Sequence, residues 1–146
     1  TKGQESYTDT LTSVAKSLPA LMRAQKVGKR AMRAGMDFRT AQDAIDCIAN
    51  EKAELDAAVA NGDKKNIEEE LGDLLFSCVN AARHLGVDAE LALKASTEKF
   101  INRFSVTEEL TKAEGLNMKE LPIEELDLYW DKAKSIINNT EENNND

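Results

Sequence analysis

The chain has 146 residues, which is enough for one domain with its own core, and it carries a net charge of −8. That acidity argues against a general nucleic-acid binder, and no apolar run approaches the roughly 20 residues that span a bilayer. Two prolines, seven glycines and an abundance of Ala, Leu, Glu and Lys predict an all-α protein.

The two ends of the chain are polar and are expected to be flexible. Residues 1–16 are predicted to be linker-like, and residues 138–146 form a low-complexity acidic tail. Between them, at 17–137, the caps and breakers predict four main helices and a short C-terminal one. The predicted helices cover about residues 19–34, 40–60, 64–85, 88–113 and 122–137.

The third predicted helix has a wide apolar face that we expect to be buried. Its members are Ile67, Leu71, Leu74, Leu75, Cys78, Ala82 and Leu85. A polar stripe of Glu70, Asp73, Ser77 and Asn80 runs through this helix. Two acids on so apolar a helix are costly unless something compensates them, and a bound metal is the natural compensation.

The second predicted helix carries a matching acidic pair, Glu51 and Glu54. Residues three apart share a helix face, so two antiparallel helices could aim both pairs at a single cation. An all-oxygen ligand set favours Mg²⁺, commonly in partnership with substrate phosphates, with Mn²⁺ as the alternative. The competing interpretation is chance, because 27 of the 146 residues are acidic and acids on helices are usually solvated.

The histidine and the two cysteines of the chain do not indicate a metal other than Mg²⁺ or Mn²⁺. A di-iron centre would need Glu-x-x-His on two helices, and the single histidine, His84, has no glutamate three residues before it. We expect His84 simply to end its helix. Cys47 and Cys78 lack a metal-ligand spacing, so they are expected to be reduced, buried side chains in a cytoplasmic protein.

A phosphate ligand would need cations beside so many carboxylates. Lys99 and Arg103 lie one turn apart on the fourth predicted helix, and Arg can hold phosphate oxygens bidentately. The alternative is that both are ordinary surface cations. Trp130, the only tryptophan, is either a core or interface residue or a wall against which a base stacks.

In order and spacing, these residues resemble the MazG family of nucleoside triphosphate pyrophosphohydrolases over about residues 17–137. The motifs that carry the resemblance are Gly35-Met-Asp37-Phe38, Glu51-x-x-Glu54, Glu70-Leu-Gly-Asp73, Asn80-x-x-Arg83-His84 and Lys99-Phe-x-x-Arg103. The resemblance implies an all-α fold whose helical bundle is completed by homodimerisation. It also implies hydrolysis of nucleoside triphosphates to a monophosphate and pyrophosphate, as nucleotide-pool house-cleaning.

The resemblance also assigns roles to individual residues. It implies that Glu51, Glu54, Glu70 and Asp73 bind Mg²⁺. From the chemistry of such a site, we expect either Glu54 or Glu69 to take the proton of the attacking water. The expected nucleotide contacts are Glu69, Asp73, Asn80, Lys99, Arg103 and Trp130.

The chain departs from the family at Cys47, Asn50 and Asn66, where members often have Lys, Glu and Lys. These departures motivate one alternative, a nucleotide-binding or dimerisation module without catalysis. Another alternative is a narrow hydrolase of dUTP or dCTP.

Overall fold

The computed structural model describes residues 6–145, and these residues form α-helices, one 3₁₀ turn and no strand. The predicted all-α class is therefore confirmed. The elements are α1 (Tyr7–Thr12), α2 (Ala20–Arg33), α3 (Ala41–Asn61), α4 (Lys64–His84), α5 (Ala89–Ala113), the 3₁₀ turn (Met118–Glu120) and α6 (Ile123–Asn144). None of the described helices combines the length and the apolar character that crossing a membrane requires.

The helices begin and end where local chemistry favours it. Thr40 caps α3, because its Oγ1 accepts a hydrogen bond from the Asp43 backbone N–H at 3.1 Å. Asp63 caps α4 in the same way, accepting from the Lys65 N–H at 3.1 Å. Gly62 separates these two helices with a φ of +68°, a left-handed conformation that glycine adopts without steric cost.

Both ends of the described chain are more helical than the sequence indicated. Residues 7–12, expected to be linker-like, form α1, whose cap Ser6 makes a reciprocal pair of hydrogen bonds with Asp9. The C-terminal helix is not short, because α6 has 22 residues and continues through most of the predicted tail to Asn144. Residues 1–5 and 146 lie outside the described part of the chain.

The chain divides into two compact units, one reaching to Ala92 and the other from Leu93 onwards. In the first unit α3 and α4 form an antiparallel hairpin, α2 packs on α4, and α1 packs on α2. Small side chains are buried where these helices approach, including Ala44, Ala58 and Ala81.

The wide apolar face of α4 is largely exposed, and the expectation that it is buried is wrong for this chain taken alone. Leu71, Leu75 and Leu85 are 45%, 53% and 56% exposed, and Cys78 is exposed as well. The buried residues of α4 are Ser77, Val79 and Ala81. Helices approach most closely over small residues, so α4 turns this narrower face towards its neighbours.

Cys47 also differs from expectation, since it is only half-buried. Burial and the nearby Glu51 charge raise the pKa of its thiol. A raised pKa keeps the thiol protonated and unreactive at neutral pH.

In the second unit, the C-terminal part of α5 is joined by the 3₁₀ turn to α6. The ring centroids of Phe100 and Trp130 are 5.3 Å apart, and the Tyr129 hydroxyl donates a hydrogen bond to the Glu114 carboxylate. The buried Thr107 donates its hydroxyl to the Arg103 carbonyl at 2.7 Å, which satisfies the only polar group of its side chain.

Candidate active site

The α3–α4 hairpin brings carboxylates from both helices to one place. One carboxylate oxygen from each of Glu51, Glu70 and Asp73 lies within 4.8 Å of the others. Glu51 and Glu70 are half-buried, whereas Asp73 is exposed. The structure thus brings together three of the four residues expected to bind a metal, and we call these three the carboxylate cluster.

Glu54, the fourth expected ligand, is exposed and supplies no oxygen to the carboxylate cluster. It is nevertheless close enough to act on Glu70 through its charge. The pKa of Glu70 is raised by burial and then by the negative charges of Asp73, Glu54, Glu51 and Glu69. Without a cation, this part of the hairpin is therefore electrostatically unfavourable.

The residues present fit a hard divalent cation. Their donor atoms are all carboxylate oxygens, which Mg²⁺ and Mn²⁺ accept readily. A cation would also remove the repulsion that raises the pKa of Glu70. His84 is the last residue of α4, as expected, and is not one of the three clustered residues.

A second polar cluster was not predicted from the sequence. Arg83 donates two hydrogen bonds to the carboxylate of Asp37, at 3.0 Å and 2.8 Å, and the Nε2 of His84 lies 2.8 Å from the same carboxylate. All three side chains are mostly buried. The hydrogen bond from Arg83 is the main reason that the pKa of Asp37 lies well below its usual range, and His84 adds to the effect.

The cluster of Asp37, Arg83 and His84, which we call the clamp, ties the loop between α2 and α3 to the C-terminal end of α4. The pKa of Asp37 is lowered, so the clamp stabilises the fold at neutral pH and loses that contribution only in strong acid. The clamp residues belong to two motifs that are visible in the sequence, Gly35-Met-Asp37-Phe38 and Asn80-x-x-Arg83-His84. Nothing in the sequence indicated that these two motifs contact each other.

A cavity of about 440 Å³ lies beside the clamp, within the first unit. Its walls are mainly apolar and come from α1, α2, α4 and the loop that follows α2. The lining includes Leu11, Val27, Met36, Phe38, Phe76 and Asn80. Asn80 was expected to contact the nucleotide, and the structure places it on this wall.

In the second unit, Lys99 and Arg103 line one cavity of about 470 Å³, together with Glu98, Asn102 and Glu141. Lys99 is exposed and Arg103 is half-buried. Among the described residues, the buried Nε of Arg103 has no hydrogen-bond partner.

Trp130 does not share that cavity with the two cations. It lines another cavity, of about 310 Å³, beside Phe100 and Phe104. The structure thus places Trp130 in an aromatic cluster of the second unit.

The segment that contains most of these residues is similar to a known protein family. Residues 39–105 match the MazG nucleotide pyrophosphohydrolase domain. The chain carries a MazG domain. The resemblance shown by the sequence motifs is therefore confirmed, and the matched segment contains the carboxylate cluster, Lys99 and Arg103.

The similar proteins include enzymes of this class. The chain is 41% identical over 135 residues to the nucleoside triphosphate pyrophosphohydrolase of Escherichia coli (strain K12), covering 91% of this chain and 51% of that protein. It is 45% identical over 117 residues to the nucleoside triphosphate pyrophosphohydrolase/pyrophosphatase MazG of Thermotoga maritima, covering 80% and 45%. The chain thus spans about half the length of these relatives.

Proposed function

We propose that this chain hydrolyses nucleoside triphosphates between the α and β phosphates, releasing a nucleoside monophosphate and pyrophosphate. The observation that carries the proposal is the convergence of Glu51, Glu70 and Asp73 inside a segment that matches the MazG domain. The names of the two relatives support the same reaction.

The carboxylate cluster would hold Mg²⁺, or Mn²⁺ as the alternative, with Glu54 as a further ligand. Such a cation would neutralise phosphate charge and would lower the pKa of a bound water. Burial and the neighbouring carboxylate charges raise the pKa of Glu70, and they support this assignment because a bound cation would favour the ionised form of the carboxylate.

The chain's own side chains would perform the proton transfer and hold the phosphates. Water attacks the α-phosphorus, the bond to the bridging oxygen breaks, and pyrophosphate leaves. Glu54 or Glu69 accepts the proton of the water, since both are exposed carboxylates whose charges act on Glu70. Lys99 and Arg103 bind phosphate oxygens and offset the charge on the leaving group.

The nucleoside would contact Asn80 and Trp130, while Glu69 and Asp73 would contact the substrate beside the metal. House-cleaning of the nucleotide pool remains the proposed role. A reducing compartment such as the cytoplasm is consistent with Cys47 and Cys78, which are both free thiols.

A panel of ribo- and deoxynucleoside triphosphates with Mg²⁺ tests the reaction. We expect monophosphate and pyrophosphate as the only products, and none after a chelator removes the metal. Chromatographic separation of the products distinguishes this cleavage from release of diphosphate and inorganic phosphate. Tight nucleotide binding without any product would favour the non-catalytic module, and turnover of dUTP or dCTP alone would favour the narrow hydrolase.

We also propose that the chain forms a homodimer through the exposed apolar face of α4. Leu71, Leu75, Cys78 and Leu85 follow one another at steps of four, three and seven, which keeps them on one side of the helix. A continuous apolar stripe of this length on a protein surface marks an interaction site. A second copy would bury the stripe symmetrically.

Replacing Leu75 with aspartate should convert the dimer to monomer, because a charge at the centre of an apolar interface is left without a partner. Light scattering coupled to size-exclusion chromatography measures the mass. Leu75→Met is the matched control and should stay dimeric, since it conserves volume and apolar character. A wild-type protein that is monomeric at micromolar concentration would contradict the proposal.

A further inference from the structure

The cavity of about 470 Å³ that contains Lys99 and Arg103 also contains two carboxylates, those of Glu98 and Glu141. These residues belong to α5 and α6 of the second unit, and we call this space the α5–α6 cavity. Within residues 6–145, none of the four charged side chains forms an ion pair. The two positive and two negative charges balance, so the lining has no formal net charge.

The last turns of α6 form one wall of the α5–α6 cavity. Ile137, Asn138 and Glu141 are spaced so that they share a helix face, and all three line the cavity. The sequence predicted a flexible tail from residue 138 onwards, but the helix continues to Asn144. A segment expected to be a tail therefore places a carboxylate in the same cavity as two cations.

The stability of α6 does not explain the position of Glu141. The C-terminal end of a helix carries a partial negative charge, so a carboxylate in the last turn is unfavourable. Glu141 lies in that turn, which contains no basic residue. Its carboxylate shares a cavity with Lys99 and Arg103, so these are the charged groups on which it can act.

The charge balance of the cavity affects how firmly it can hold a phosphate anion. Pyrophosphate carries several negative charges, and two cations without neighbouring carboxylates would bind it tightly. Tight binding of a product does not accelerate the chemical step, and slow product release can limit turnover. A carboxylate beside the two cations repels the anion, so its dissociation becomes faster.

We propose that Glu141 limits the affinity of the α5–α6 cavity for pyrophosphate, so that the leaving group departs after hydrolysis. Lys99 and Arg103 bind the phosphate oxygens, and Glu141 offsets part of their positive charge. The inference rests on the proposed function, because it assigns the departing pyrophosphate to the cavity that contains these two cations.

Glu141→Gln tests the proposal, because it removes the charge and keeps the size of the side chain. Calorimetry with inorganic pyrophosphate, in the absence of metal, should give a Kd about fivefold lower than that of the wild type. This is the expected effect of removing one charge roughly 4 Å from the ligand in water. The difference should shrink in about 1 M salt, where charges are screened within about 3 Å.

Glu142→Gln is the matched control. Glu142 is exposed in the same last turn of α6, and it does not line the cavity. The control changes the net charge and the charge at the helix end equally, and it should leave the Kd unchanged. Glu141→Lys changes the charge by two units and should tighten binding about twenty-five-fold.

Several results would overturn the role of Glu141. One is an equal Kd for the wild type and Glu141→Gln, and another is an equal gain of affinity in Glu142→Gln. Weaker binding in Glu141→Lys would indicate that the shape of the side chain matters and its charge does not. Absence of pyrophosphate binding in every variant would also contradict the proposal.

Turnover separates this proposal from the proposed reaction. In an active protein, Glu141→Gln should lower the inhibition constant of pyrophosphate about fivefold. If pyrophosphate binds more tightly to the variant but neither protein hydrolyses a nucleoside triphosphate, the role of Glu141 stands and the reaction fails. If both proteins hydrolyse the substrate with equal inhibition constants, the reaction stands and the role of Glu141 fails.

Discussion

Replacing Glu70 with glutamine should lower the rate of pyrophosphate release at least about a hundredfold, more than the usual effect of changing a group that only supports a metal ligand. Glu70 supplies one of the three clustered oxygens, and glutamine offers a neutral amide in place of a carboxylate. Pyrophosphate released from a nucleoside triphosphate in excess Mg²⁺ measures the effect, while circular dichroism should show unchanged helix content.

The same change should have the opposite effect on stability in the absence of metal. The pKa of Glu70 is raised, so its ionised form is less favourable in the folded chain than in the unfolded one. At neutral pH the neutral glutamine removes that cost, and the variant should unfold at a higher temperature than the wild type. Addition of Mg²⁺ should reverse the order, because only the wild type gains a bound cation.

Glu68→Gln is the matched control, since Glu68 is an exposed carboxylate on the same helix and outside the cluster. It changes the net charge equally and should retain activity and the thermal shift with Mg²⁺. Full activity in Glu70→Gln would contradict the metal assignment. A shift with Mg²⁺ as large as that of the wild type would contradict it as well.

The carboxylate cluster was predictable because its causes are local. Three-residue spacing fixes which carboxylates share a helix face, and the Asn61-Gly62-Asp63 sequence fixes a tight turn between α3 and α4. Two helices joined by so short a turn must pack antiparallel, which brings Glu51 towards Glu70. The sequence did not indicate that Glu54 lies outside the cluster, because the distance from the edge of a helix face to the next helix depends on the angle at which the two helices cross.

Neither the clamp nor the exposure of the apolar face of α4 could be predicted from residues that are close together in the sequence. Asp37 and Arg83 are 46 positions apart, and their pairing follows from the packing of α2 on α4. The apolar pattern of α4 shows which side chains avoid water but not which neighbour covers them. Here Ser77 and Ala81 allow close helix packing within the chain, and the larger Leu71 and Leu75 are left at the surface.

Replacing Arg103 with methionine should lower kcat/KM about a hundredfold. The guanidinium group can donate two charge-assisted hydrogen bonds to a phosphate, together about 3 kcal/mol, which corresponds to roughly two orders of magnitude. Methionine preserves the packing of the apolar stem and removes the polar group. Arg103→Lys should be intermediate, because it keeps the charge and loses the planar fork.

Stability measurements distinguish phosphate binding from a structural role for Arg103. Its buried Nε has no hydrogen-bond partner among the described residues, so loss of the guanidinium should not lower the unfolding temperature. Lys94→Met, at an exposed position of α5, removes an equal charge and should leave kcat/KM unchanged. If Arg103→Met unfolds at a clearly lower temperature and retains wild-type kcat/KM when folded, Arg103 supports the helix and does not bind phosphate.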